Sequence, residues 1–207
     1  MNLKGRTALA AAVLLTPAPG LAQEQAEASF SSAVEAQAAA QHLQPGVAAM
    51  RNAFAWYVAR PSLGGEARLV VLRRHRDRFY ASRSRYRTSD VLAAAGRDFR
   101  AGIDPARTAA GLPVVREQAD ESWCPALAPA LRELERLPAA TIDVPGTGKR
   151  SSKAVSLVLD GTTVTLTFPF AGDHGEVSFS NNAGPVHAWA QRFERATSGC
   201  WRTDTRT

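Results

Sequence analysis

The sequence predicts an α+β protein, an antiparallel sheet with helices packed on its one apolar face, and three observations predict it. The stretch "AVSLVLDGTTVTLTF" (154–168) alternates apolar and polar residues on both sides of Asp160-Gly161. Asp-Gly supplies the positive φ angles a tight hairpin turn requires. Two amphipathic stretches flank that hairpin: Leu127, Leu131, Leu134 and Leu137 recur at helical spacing before it, and Val186, Trp189, Ala190, Phe193 and Thr197 after it. Lastly, the two cysteines, Cys124 and Cys200, stand at the outer ends of those helices, where one bridge would tie them over the sheet. From residue 121 onward the order is helix, short strand, hairpin, strand, helix. A helical N-terminal part carrying an arginine-rich β-hairpin precedes this unit.

The elements follow in order. Lys4 and Arg6, the apolar run Ala8–Leu15, and small residues Gly20 and Ala22 before Gln23 form a secretory leader over 1–22. The run is far shorter than the about 20 apolar residues a membrane span needs. Residues 23–43 are rich in Ala, Glu and Gln and predict a helix whose mostly alanine face, with Phe30, Val34 and Leu43, packs weakly. After "QPG", the spacing of Val47, Met50, Phe54, Tyr57 and Val58 predicts a second helix. Residues 67–74 and 78–87 read as strands joined near "HRD", and "TSDVLAAAGRDF" opens a helix capped by Thr88, Ser89 or Asp90. Residues 101–121, with two glycines and two prolines, read as irregular. "TIDV" (141–144) and "EVSFS" (176–180) read as strands, and Gly199 as the cap of the last helix. Residues 23–120 either share a domain with 121–207 or form a lobe of their own.

An even cysteine count in an exported chain reads as a disulfide, and two cysteines allow one pairing. Two reduced thiols, or a zinc pair completed by histidines, are the alternatives. The formal charge is +6, and the excess of arginine over lysine reflects a GC-rich genome as readily as selection for polyanions. Net charge alone assigns no function.

"DVPGTGKRSSK" (143–153) resembles a phosphate loop only superficially. Asp143 stands where the first glycine belongs, Arg150 where Ser or Thr would hold magnesium, and an alternating strand follows where a helix N-terminus is needed. Nucleotide binding is therefore not expected there. The segment from Arg68 to Arg87 holds eight arginines. Arg73, Arg74, Arg76, Arg78, Arg83, Arg85 and Arg87, with Tyr80 and Tyr86 interleaved, are the candidate binding residues for an anionic partner. Period-two geometry puts Phe79, Arg83, Arg85 and Arg87 on one side of the strand and Tyr80, Ser82, Ser84 and Tyr86 on the other. The plainer reading is a solvated face whose arginines discourage edge-to-edge association.

Catalytic patterns are thin: there is no HExxH, GxSxG or SxxK. Asp173 and His174, in "AGDHGE", are weak catalytic candidates as half of a triad. His187, beside Trp189, reads as packing. No metal or cofactor is expected. The expectation is an exported, non-catalytic binding or structural protein of the bacterial cell envelope, periplasmic or secreted, with an envelope protein or anionic envelope component as partner. The alternatives are a periplasmic hydrolase whose site assembles only in the fold, and a polyanion binder acting through the 68–87 hairpin.

Overall fold

The computed structural model describes residues 19–46, 50, 52–62, 64–137, 161–169, 176–181 and 184–204. Leader residues 1–18, "TIDV", the 145–153 loop, the 154–159 hairpin arm, Asp173 and His174 lie outside the described residues. The elements in order are α1 (Pro19–His42), β1 (Ala53–Pro61), β2 (Glu66–His75), β3 (Arg78–Arg87), α2 (Thr88–Arg100), α3 (Pro105–Ala110) and β4 (Val115–Asp120). Then come α4 (Leu127–Arg132), extended by a 3₁₀ turn (Glu133–Arg136), β5 (Thr162–Pro169), β6 (Glu176–Asn181), α5 (Pro185–Ala196) and β7 (Arg202–Thr203). The seven strands form one sheet in the order β6-β5-β1-β2-β3-β4-β7. Every neighbouring pair is antiparallel.

Helices cover both faces. On one, α4 and α5 cover Ala55, Tyr57, Val70, Leu72, Val164 and Leu166, as expected for the C-terminal unit. On the other, Val34 and Ala38 of α1 and Leu43 just past its end, with Val91, Ala94 and Ala109 of α2 and α3, cover Trp56, Leu69 and Val71. The reason lies in β1 and β2, whose odd and even residues are both apolar, so each face needs cover. α1 does pack through alanines, reinforced by a tilted Phe30–Phe99 contact at 5.5 Å.

The expected helix over 46–59 is corrected by this double cover. Residues 53–61 are a central strand between β5 and β2, with Trp56 (7% exposed) and Tyr57 (0%) buried on opposite faces. A strand buried on both sides reads as a continuous apolar run, and such a run also satisfies helical spacing. The stretch 101–121 is not irregular either: Asp104 caps α3 by accepting the Ala106 amide, and 115–120 form β4. α2 starts without a side-chain cap, because the Thr88 hydroxyl donates to the Gly65 carbonyl instead. α5 is capped at Thr197 rather than Gly199. β5, the expected second arm of the hairpin, has β1 along one edge and β6 along the other.

The disulfide is present. Cys124 and Cys200 are joined with their Cα atoms 5.3 Å apart. Trp123 and Trp201 pack beside them, and the Trp123 indole donates to the Cys200 carbonyl at 3.0 Å. Beneath α5, Trp189 and Phe193 meet Tyr57 edge-on, and the Trp189 indole donates to the Ala130 carbonyl of α4. No described helix is long and apolar enough to cross a membrane.

Candidate functional site

Strands β2, β3 and β4 carry polar clusters on both faces, and the two clusters differ in kind. Alternation along the strands decides which residue joins which. Glu66 and Arg68 of β2, Arg83 and Arg85 of β3, and Glu117 of β4 point toward α5, which adds Glu194. They form a chain of ion pairs. Arg85 bridges Glu66 and Glu117, Arg83 bridges Glu117 and Glu194, and Arg68 pairs with Glu194 at 3.2 Å. The buried Tyr57 hydroxyl also donates to Glu194. Arg83 lies flat over the Trp201 ring, 4.2 Å from its centroid. Three cations meet three carboxylates, so the network is closed in charge.

Its electrostatics are those of a structural clasp. Burial by itself raises the Glu117 pKa, but the hydrogen bonds from Arg85 and Arg83 and their charges outweigh it, so the carboxyl sits below its ordinary value. A carboxylate held ionised in this way accepts protons poorly and has none to give. The Tyr57 phenol is pushed well above its ordinary value by burial first, then by the charge and hydrogen bond of Glu194.

The opposite face is open where the cover of α1–α3 ends. A groove of about 420 Å³ is walled by Gln41, His42, Gln44 and Pro45 and floored by Arg73, Ser82, Ser84 and Arg116, with Asp204 at its rim. The strand register sets the floor: Arg73 faces Tyr80, Ser82 lies between Val71 and Gln118, and Ser84 lies between Leu69 and Arg116. A second depression of about 380 Å³, with Tyr80, Gln118 and Asp120, shares Arg73.

Two buried polar atoms in this groove, Arg73 Nε and His42 Nδ1, have no hydrogen-bond partner among the described residues. The His42 tautomer follows from its other nitrogen: Nε2–H donates to the Ala109 carbonyl at 3.0 Å, leaving Nδ1 as an acceptor in the neutral ring. Burial lowers the Arg73 pKa, and the nearby Asp204 charge offsets part of that. Arg116 is exposed and makes no ion pair among the described residues. Buried polar atoms are nearly always paired, and two of the four unsatisfied ones among the described residues fall in this groove, the other two being Arg68 Nε and Trp201 Nε1 beside the ion-pair network.

The candidate residues of the arginine-rich hairpin are therefore divided. Arg83 and Arg85 lie inside the ion-pair network, and Tyr86 is buried against α1. Arg74, Arg76, Arg78 and Arg87 are exposed, and Arg74 lies near Asp77 and over Phe79. Arg73, Tyr80 and Arg83 line the two depressions, and of these Arg83 is already committed to Glu117 and Glu194. β3 is an interior strand, not a ribbon with one continuous basic face. His187 is held between the Thr162 carbonyl and Gln191. Sequence reasoning missed His42 and Arg116, which come from a helix end and a strand read as irregular. The available signal was the small polar side of β3, Ser82 and Ser84, which left room where bulk would otherwise pack. No group of metal-ligating side chains occurs among the described residues. Compared with known proteins, the chain matches no family model, no curated protein sequence and no solved structure.

Proposed function

We propose that the protein is an exported, non-catalytic binding protein of the bacterial cell envelope, and that its ligand occupies the groove between the C-terminal end of α1 and strands β2–β4. The observation that carries this reading is the pair of buried, unsatisfied polar atoms, Arg73 Nε and His42 Nδ1, in one open groove. On the other face Arg68 Nε and Trp201 Nε1 also lack a hydrogen-bond partner among the described residues, but there Arg68 has the Glu194 charge at 3.2 Å and Trp201 is covered by Arg83, whereas the groove is open. Export is supported by the leader pattern and by the disulfide, which persists in an oxidising compartment.

The test uses protein recovered from the periplasmic fraction of an export-competent host. Intact mass should show a chain starting at Gln23 that gains two hydrogens on reduction. Backbone hydrogen exchange in β2–β4 should slow when a small-molecule extract of bacterial envelopes is added. A chain beginning at Met1 with free thiols removes export, and exchange that the extract leaves unchanged removes the groove as a binding site.

A further inference from the structure

We infer that the His42–Arg73–Arg116 groove seats an oxyanion, the carboxylate or phosphate group of a small organic molecule, against Arg73. The inference rests on the binding reading above and names its ligand class. Its first support is the donor inventory. Arg73 and Arg116 make no ion pair within 4.0 Å among the described residues, and the Ser82 and Ser84 hydroxyls donate to nothing there. Guanidinium forks and hydroxyls converging on one floor match the acceptor oxygens of carboxylate or phosphate.

The charge balance points the same way. Asp204 stands opposite the two guanidiniums and also accepts from Gln118 at 3.4 Å. Of the β4 carboxylates, Glu117 turns to the other face and is held by Arg83 and Arg85, and Asp120 lies in the adjoining depression, across Tyr80 from Arg73, where it accepts from the Ser122 amide. With Arg83 and Glu117 paired, the groove's own described lining sets two cations, Arg73 and Arg116, against the one carboxylate of Asp204. A guanidinium nitrogen buried without a partner costs stability unless something pairs with it. Size supplies the rest: 420 Å³ exceeds a bare ion and falls in the range of about 300–1,000 Å³ typical of small-molecule sites. Leu69, Val71 and Pro45 line it beside the arginines and offer apolar contact for the remainder of the molecule.

The experiment titrates the mature, oxidised protein with inorganic phosphate, citrate and octanoate, reading calorimetry and the arginine Nε–H resonances. The Arg73 signal is identified by its loss in Arg73→Gln. At least one probe should shift that signal, and which one it is separates phosphate from carboxylate and a compact anion from a chain-bearing one. Affinity should fall about tenfold or more in Arg73→Gln and in Arg116→Gln, as for loss of a charge-assisted hydrogen bond, and should stay unchanged in Arg100→Gln on the far helix. Arg73→Gln should unfold at the same temperature as the parent or higher, because it removes a half-buried cation whose Nε has no hydrogen-bond partner among the described residues. A marked drop would make Arg73 a structural residue and overturn the inference, as would binding that survives Arg73→Gln or an Arg73 signal that no probe moves. If the envelope extract still slows exchange in Arg73→Gln, the groove binds something other than an oxyanion and the binding reading alone stands. If neither extract nor probes act, both fall.

Discussion

Glu194 is the member of the ion-pair network whose loss should cost most. It is 15% exposed and is, among the described residues, the one carboxylate paired with Arg68, which is 28% exposed; it also pairs with Arg83, which is 12% exposed. It is also the acceptor for the fully buried Tyr57 hydroxyl. Glu194→Ala therefore strands a buried phenol, which costs about 1–3 kcal/mol. It also unpairs two guanidiniums, one of which keeps Glu117. Breaking a fully buried pair costs about 3–5 kcal/mol, and the partial exposure of Arg68 lowers its share. The net expectation is a loss of about 3–4 kcal/mol. Glu117→Gln should cost less, about 1–2 kcal/mol, because Arg83 keeps Glu194, Arg85 keeps Glu66, and the amide still accepts a hydrogen bond. Urea unfolding of the oxidised proteins measures the difference. With a slope near 2 kcal/mol per molar, the Glu194→Ala midpoint should fall by about 1.5–2 M. A double-mutant cycle with Tyr57→Phe should return a coupling of about 1 kcal/mol or more. A midpoint loss no larger than that of Glu117→Gln, or a coupling of zero, would refute the assignment of Glu194 as the centre of the clasp.

Three other outcomes are expected. Replacing both cysteines by serine opens a link across 76 residues, which should cost about 4 kcal/mol on the chain-entropy model and about 8–16 °C in Tm by calorimetry; a loss of only a degree or two would show the bridge contributes little. The Glu117 pKa is depressed in the folded state, so its contribution is complete above the ordinary carboxylate range and is lost as pH falls through the folded value. Wild type should then lose more stability on acidification below about pH 4.5 than Glu117→Gln, and parallel stability curves would contradict this. Tyr57 and Tyr86 are both raised, chiefly by burial, so the unfolded chain releases those protons first and stability should fall as pH climbs through the ordinary tyrosine range. Ultraviolet titration should show fewer than the three tyrosines of the chain ionising before unfolding, and full ionisation of the native protein would refute the buried hydrogen bond.

Much of the architecture was legible because local pattern and tertiary role agree. β2, β3, β5, β6, α2 and α5 lie where period-two or helical spacing places them. The pattern misled where a strand is buried on both faces: β1 shows a run of apolar residues with no alternation to betray its period. It also misled at β4, whose "VREQAD" is polar because one side joins the ion-pair network and the other borders the groove. The arginine-rich hairpin was legible as two strands, but not as part of a site. Its charge was visible, while the glutamates that pair with three of its eight arginines come from β2, β4 and α5.

By itself the sequence determined the α+β class, the period of most strands and the one pairing two cysteines allow, because these follow from side-chain alternation and from the cysteine count; that Cys124 and Cys200 are joined was decided by the fold. Tertiary structure decided which arginines are spent and which are available. Arg83 and Arg85 differ from Arg73 by the parity of their positions on paired strands, and so by the face they enter. One face brings Glu117 and Glu194 within 4 Å, while the other ends at the open edge of α1 and leaves the Arg73 Nε unpaired among the described residues. A charge's role depends on what stands across from it, and that distance exists only in the fold.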